Sequence, residues 1–170
     1  DNVAPAIYGN MIIAFMEDGN LYHESIKVPE EIRFLAMVPD FELSTEKARA
    51  VLPKEIPHKH GVFNVSRCAL LIAAFTKNNL DLVKVACKDK FHQDYRSHLI
   101  NNYDDIVAYA NSLDSLGTFL SGAGPTIMTL AKDGDDEILD KMKSYLAALP
   151  DNWQILDLHC DPNGAYCREV

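Results

Sequence analysis

No stretch of this sequence is apolar for long enough to cross a bilayer as a helix: the longest such run, residues 68–75, falls far short of the ~20 residues required. No charged, apolar, small-residue pattern opens the chain as a secretory leader would, and the expectation is a cytoplasmic protein. Cysteine is sparse. Cys68, Cys87, Cys160 and Cys167 show neither C-x-x-C spacing nor the density of a disulfide scaffold, so free thiols in a reducing compartment are expected. Positive charge is also short, with 16 Lys and Arg against 25 Asp and Glu for a net charge of −9. That balance argues against a nucleic-acid or anionic-membrane surface, which needs clustered cations to displace counterions. No Gly-Lys-Ser/Thr step marks a P-loop, and no nucleophile elbow marks a hydrolase. His58 and His60 form an H-x-H pair with no third ligand at a recognisable spacing, so no metal site is expected. Internal repeats and low-complexity segments are missing too.

What remains is a globular composition, 48% hydrophobic and 24% charged over 170 residues, enough for one complete domain plus part of another. Residues 1–9 suit a helical turn or two closed by Gly9. Residues 11–16 and 21–26 read as strands joined by Glu17-Asp18-Gly19-Asn20, whose Asp-Gly step favours a hairpin. Pro29-Glu30-Glu31 breaks the pattern and is taken as a domain boundary, with 1–30 a remnant and 31–170 the main domain. Residues 32–38 predict a buried strand, and Ser44 an N-cap for a short helix over 45–52 that Pro53 stops. Residues 61–76 form the most hydrophobic helix, with Val62, Val65, Ala69, Ile72 and Ala73 on one stripe, and are expected to be the central core helix.

Helices are further predicted over 80–89, over 103–113 with Asn102 as cap, and over 136–149, with an irregular connection at 90–102. Strands are predicted at 119–121, 126–131 and 155–160, with 165–167 as an edge partner. This alternation indicates an α+β fold, helices packed on one face of a mainly antiparallel sheet.

Several residues could carry chemistry, each beside a plainer reading. Ser121-Gly122-Ala123-Gly124-Pro125-Thr126 could turn backbone N–H groups toward an anion, or be a glycine-rich hairpin with no ligand. Thr45 and Arg49 stand four apart, a hydroxyl and a guanidinium on one helix face. Arg suits a carboxylate or phosphate, yet an exposed helical Arg is usually only solvated. Arg96 lies in an aperiodic connection, where binding residues concentrate, or simply pairs with Asp94. Asn2 could hold a substrate hydroxyl and Asp1 an ammonium group, or both could serve as helix caps.

Asp1-Asn2-Val3-Ala4-Pro5-Ala6, the run from Val38 through Pro39-Asp40-Phe41-Glu42-Leu43-Ser44-Thr45-Glu46-Lys47-Ala48-Arg49 to Pro53, Val62-Phe63-Asn64-Val65-Ser66-Arg67, His92-Gln93-Asp94-Tyr95-Arg96 and Leu120-Ser121-Gly122-Ala123-Gly124-Pro125-Thr126 together resemble homoserine kinases of the GHMP kinase superfamily. The resemblance covers nearly the whole chain, and the Pro-Asp-Phe-Glu-Leu-Ser-Thr run is its most specific part. It implies a ferredoxin-like GHMP kinase C-terminal domain and phosphoryl transfer from ATP, with Mg²⁺, to the side-chain hydroxyl of L-homoserine in threonine biosynthesis. In such kinases the residues matching Asn2, Thr45, Arg49 and Arg96 line the amino-acid pocket, Gly122 closes over it, and Gly122, Ala123 and Gly124 face the cofactor. Asn2 and Arg96 would act closest to the reacting groups, with Asp1 beside the substrate ammonium.

The superfamily's phosphate-binding motif, Pro-x-x-x-Gly-Leu-Gly-Ser-Ser-Ala, does not occur here. The expectation is therefore a carboxy-terminal portion, inactive alone, that pairs with an amino-terminal kinase half. A homodimer remains open. So do another GHMP kinase, for mevalonate or a related alcohol, and a non-catalytic amino-acid-binding or oligomerisation module.

Overall fold

The computed structural model describes residues 3–167, so Asp1 and Asn2 lie outside the described residues. A short helix, α1 (Val3–Tyr8), leads into a hairpin of β1 (Met11–Glu17) and β2 (Asn20–Ile26). Asp18 and Gly19 both take positive φ, 49° and 78°, the geometry of a two-residue turn whose twist matches the strands it joins. The main sheet follows from β3 (Ile32–Pro39), with β4 (Gly117–Leu120), β5 (Ile127–Lys132) and β6 (Trp153–Leu158). Its order is β4-β5-β3-β6 and every pairing is antiparallel.

Side chains alternate across this sheet, and both faces are apolar. Leu35, Met37, Ile127, Ala131 and Leu120 join one core cluster with Ile106 and Ala110 of α6 (Tyr103–Ser112) and Ile138, Met142 and Leu146 of α7 (Asp136–Ala147). Ile32, Phe34, Met128 and Leu130 join a second with Ala74 and Phe75 of α3 (His58–Thr76) and Val83 of α4 (Val83–Ala86). The α+β class holds, but helices reach both faces rather than one. A strand such as β5, apolar at consecutive positions, needs cover on both sides. At Gly117 the approach is so close that a Cβ would sit 2.9 Å from Cys87 Sγ, which leaves room for glycine alone.

The expectation that residues 61–76 form the central core helix is overturned. Only Ala74 and Phe75 of α3 are buried, while Val62 is 57% and Val65 69% exposed. Periodicity shows that a helix has an apolar stripe, not which surface covers it. Phe15, Met16, Leu21 and Tyr22 on the hairpin and Val3, Ile7 and Tyr8 of α1 are exposed as well, so much of the uncovered apolar surface of the described residues lies on α1, the hairpin and α3.

Smaller differences have local causes. Residues 80–89 shorten to a 3₁₀ turn (Leu80–Leu82) and α4. Asn102 precedes α6 in the left-handed region, φ 57°, with no side-chain cap bond; its amide donates to Asp151 Oδ2 at 3.4 Å instead. Residues 165–167 are not a strand: the Ala165 N–H donates to the Ala6 carbonyl at 3.0 Å. The end of the described chain thus closes on α1. Asn10 strengthens that junction, its N–H donating to the Asp161 carbonyl at 2.8 Å and its amide to the Pro162 carbonyl at 3.2 Å.

Candidate amino-acid site

Ser44 opens α2 (Thr45–Ala50), its hydroxyl accepting the Lys47 N–H at 3.1 Å, with Glu46 in the first turn. Capping and dipole complementarity explain why so short a helix forms. Thr45 and Arg49 stand exposed on it, whereas Ala48 is buried. A second short helix, α5 (Gln93–Arg96), lies in the segment expected to be irregular. Its start is held by Asp89, whose carboxylate accepts the N–H groups of Phe91, His92 and Gln93 at 3.0, 2.7 and 2.8 Å and the Asn64 amide at 2.6 Å. Asn64 in turn accepts the Lys90 N–H at 2.9 Å. This fastens α3 to α5.

Arg96, at the other end of α5, ties three segments together. Its Nε donates to the Ala48 carbonyl at 2.9 Å and its Nη1 to the Gly122 carbonyl at 3.0 Å. The guanidinium is thus fixed between the residue preceding Arg49 and the tip of the glycine loop. Its Nη2 donates to no described residue. Ion pairing with Asp94 is not what holds it; Asp94 pairs with Lys90 at 2.7 Å.

The loop is a tight turn. The Ser121 N–H donates to the Thr126 carbonyl and the Gly124 N–H to the Ser121 carbonyl, both at 2.9 Å. Gly122 has φ 57° with open space where a Cβ would be, and Gly124 has φ 86° with Ile100 and Leu120 methyls 3.1 Å from that position. Gly124 therefore serves packing and spends its N–H inside the loop. Gly122 is left exposed at the tip of the loop with open space beside it.

Arg96 reaches both Gly122 and Ala48, the residue before Arg49 on the helix that also carries Thr45, while Asp1 and Asn2 lie outside the described residues. Asp89, Gln93 and Asn64 were not singled out from sequence. Asp89 could have been: an aspartate two to four residues ahead of backbone N–H groups is an Asx-type cap.

Two titratable groups near α5 are shifted. Burial pushes the Asp89 carboxyl up, but hydrogen bonds from Gln93, His92, Asn64 and Phe91 prevail and hold it below its ordinary 3.8. Burial lowers His92 below 6.5, Asp89 opposing and Arg96 assisting. For both, the folded state resists protonation, so their stabilisation is complete above the unfolded value and is lost as pH falls. We expect stability to decline as pH drops below about 6.5, through His92 first, and again below about 4, through Asp89. Denaturant titrations of wild type and His92→Gln should differ in pH slope over the upper window; identical slopes would contradict the assignment.

A family model described as GHMP kinases C terminal matches residues 71–148. Over those residues the chain is similar to GHMP kinase C-terminal domains. Over 164 residues, 96% of its length, the chain is 48% identical to a homoserine kinase of Clostridium botulinum and covers 55% of it. The crystal structure of homoserine kinase from Cytophaga hutchinsonii aligns with a TM-score of 0.88 at 27% identity, over 95% of this chain and 52% of that one. An L. major mevalonate kinase solved with R-mevalonate aligns with a TM-score of 0.66 at 19% identity, over 93% of this chain and 51% of that one, a likeness of fold alone. The chain thus spans about half the length of the curated relatives it matches.

Proposed function

We propose that this chain supplies the amino-acid side of a homoserine kinase, acting in the cytoplasm in threonine biosynthesis. The observation that carries the reading is Arg96, held between α2 at Ala48 and the glycine loop at Gly122, in a chain this similar to homoserine kinases. A guanidinium locked by two backbone carbonyls loses little freedom on binding, and its free edge suits a carboxylate. Arg49 would complete the clamp on the α-carboxylate, with Thr45 beside it. Asn2 would orient the attacking hydroxyl through its amide, and Asp1 would favour the α-ammonium. Such residues orient and neutralise, which is most of what phosphoryl transfer asks of a protein.

ATP, bound with Mg²⁺, would supply the phosphoryl group. The superfamily's phosphate-binding motif does not occur in this sequence, so the nucleotide and its metal would be anchored chiefly by residues outside it. An amino-terminal kinase half would carry those elements and cover the apolar surface of α3 and the hairpin, with residues 1–30 belonging to it and 31–170 forming the second domain. Among the described residues no helix is long and apolar enough to cross a membrane.

A coupled ADP-release assay on the longer protein containing this chain, offered L-homoserine and mevalonate, tests the reading. Homoserine should be the acceptor, and the 170-residue chain alone should release no ADP above background. Turnover of mevalonate in preference to homoserine would overturn it.

A further inference from the structure

The amino-acid site depends on a loop and two one-turn helices staying in register, although they are far apart in the chain. A four-residue helix cannot hold itself; the first turn costs more order than its few hydrogen bonds return. Gln93, on α5, lies where the root of the loop, the start of α6 and Cys87 meet. Its Oε1 accepts the Leu120 N–H at 2.8 Å and the Tyr103 hydroxyl at 2.9 Å, and its Nε2 donates to the Cys87 carbonyl at 3.3 Å. All its polar atoms are engaged.

The Leu120 bond has a topological reason. β4 is an edge strand paired only with β5, and Leu120 is 3% exposed, so its outward N–H would be buried without a partner. The Gln93 amide takes the place of the missing strand. Leu120 immediately precedes Ser121, and Arg96, three residues after Gln93, binds Gly122. One short helix therefore grips the loop at its root and at its tip.

We propose that Gln93 is a positioning residue: by anchoring Leu120 it sets where Gly122 meets Arg96, and with that the shape of the amino-acid pocket. The pocket clause rests on the homoserine reading above; the anchoring does not. Gln93→Leu removes every side-chain bond, whereas Gln93→Glu keeps an oxygen for Leu120 and Tyr103 while its second oxygen faces the Cys87 carbonyl without a proton to donate.

The test has two arms. In the 170-residue chain, amide hydrogen exchange at Leu120 should quicken roughly tenfold or more in Gln93→Leu and return toward wild type in Gln93→Glu, in step with one lost hydrogen bond. In the longer protein, Gln93→Leu should raise the KM for homoserine about tenfold while the KM for ATP and kcat stay within about threefold, with Gln93→Glu recovering most of the loss. Leu120 exchange unchanged in Gln93→Leu would overturn the anchoring. Faster exchange with an unaltered homoserine KM would reduce Gln93 to a structural residue. A wild-type protein that does not turn over homoserine would remove the substrate reading, and the exchange arm would still decide whether Gln93 holds the loop.

Discussion

Replacing Arg96 with alanine in the longer protein should raise the KM for homoserine by about two orders of magnitude, the equivalent of roughly 2–3 kcal/mol for a lost charge-assisted hydrogen bond in a partly buried site. Two effects add. The substrate carboxylate would lose a cation, and α2 and the glycine loop would lose the side chain joining them through Ala48 and Gly122. Arg96→Lys separates the two, because a lysine keeps the charge but cannot span both carbonyls while presenting a free edge. It should recover a minor share of the lost affinity. Steady-state kinetics of both variants decide the matter, and an Arg96→Ala enzyme within threefold of wild type for homoserine would show that Arg96 does not touch the substrate.

The largest effect on stability is expected at Arg33, a charged residue buried within β3. Its Nε donates to Asp157 Oδ1 at 3.0 Å, its Nη2 to Asp157 Oδ2, and its Nη1 to Asp136 Oδ1 at 2.9 Å. The fork therefore joins β3, β6 and the first turn of α7. Hydrogen bonding to Arg33 holds the Asp157 carboxyl below its ordinary value, and the two carboxylates in turn raise the guanidinium. Arg33→Met should cost about 2–3 kcal/mol, less than a fully buried pair loses, because Asp136 and about a third of Asp157 remain hydrated. For a domain of this size that is a fall of roughly 5–10 °C in Tm. Adding Asp157→Leu should restore much of it, since the unpaired carboxylate is then gone. A single variant as stable as wild type would show that the fork contributes nothing.

Those two residues show what sequence discloses and what it does not. The hairpin was legible because Asp18-Gly19 admits positive φ at both turn positions, and α7 because Asp135 caps it through the Ile138 N–H and its apolar residues recur at helical spacing. The burial of α3 was not legible. Its stripe is real, but the surface that would cover Val62 and Val65 is not among the described residues. Helix α5 has no periodicity to mark it: Asp89 caps it locally, a signal the sequence offered, but Gln93 and Arg96 hold it through bonds to remote segments. Arg33 was passed over as one charge inside a strand, its partners more than a hundred positions away.

The site was legible mainly through the resemblance of short motifs to homoserine kinases. Spacing alone could place Thr45 and Arg49 on one face, yet it could not say that Arg96 would lie against that helix. The structure adds the reason they stay together, two backbone carbonyls shared by one guanidinium. In the loop, Gly124 packs against Ile100 and Leu120 and closes the turn through its N–H, while Gly122 has open space beside it.

The central claim is that Arg49 and Arg96 recognise a carboxylate. Calorimetric titration of the longer protein with L-homoserine and with L-homoserine amide, which differ only in that group, tests it most directly. The charged ligand should bind at least about 50-fold more tightly, as loss of an ionic hydrogen-bonded contact requires; equal affinity for the two would contradict it.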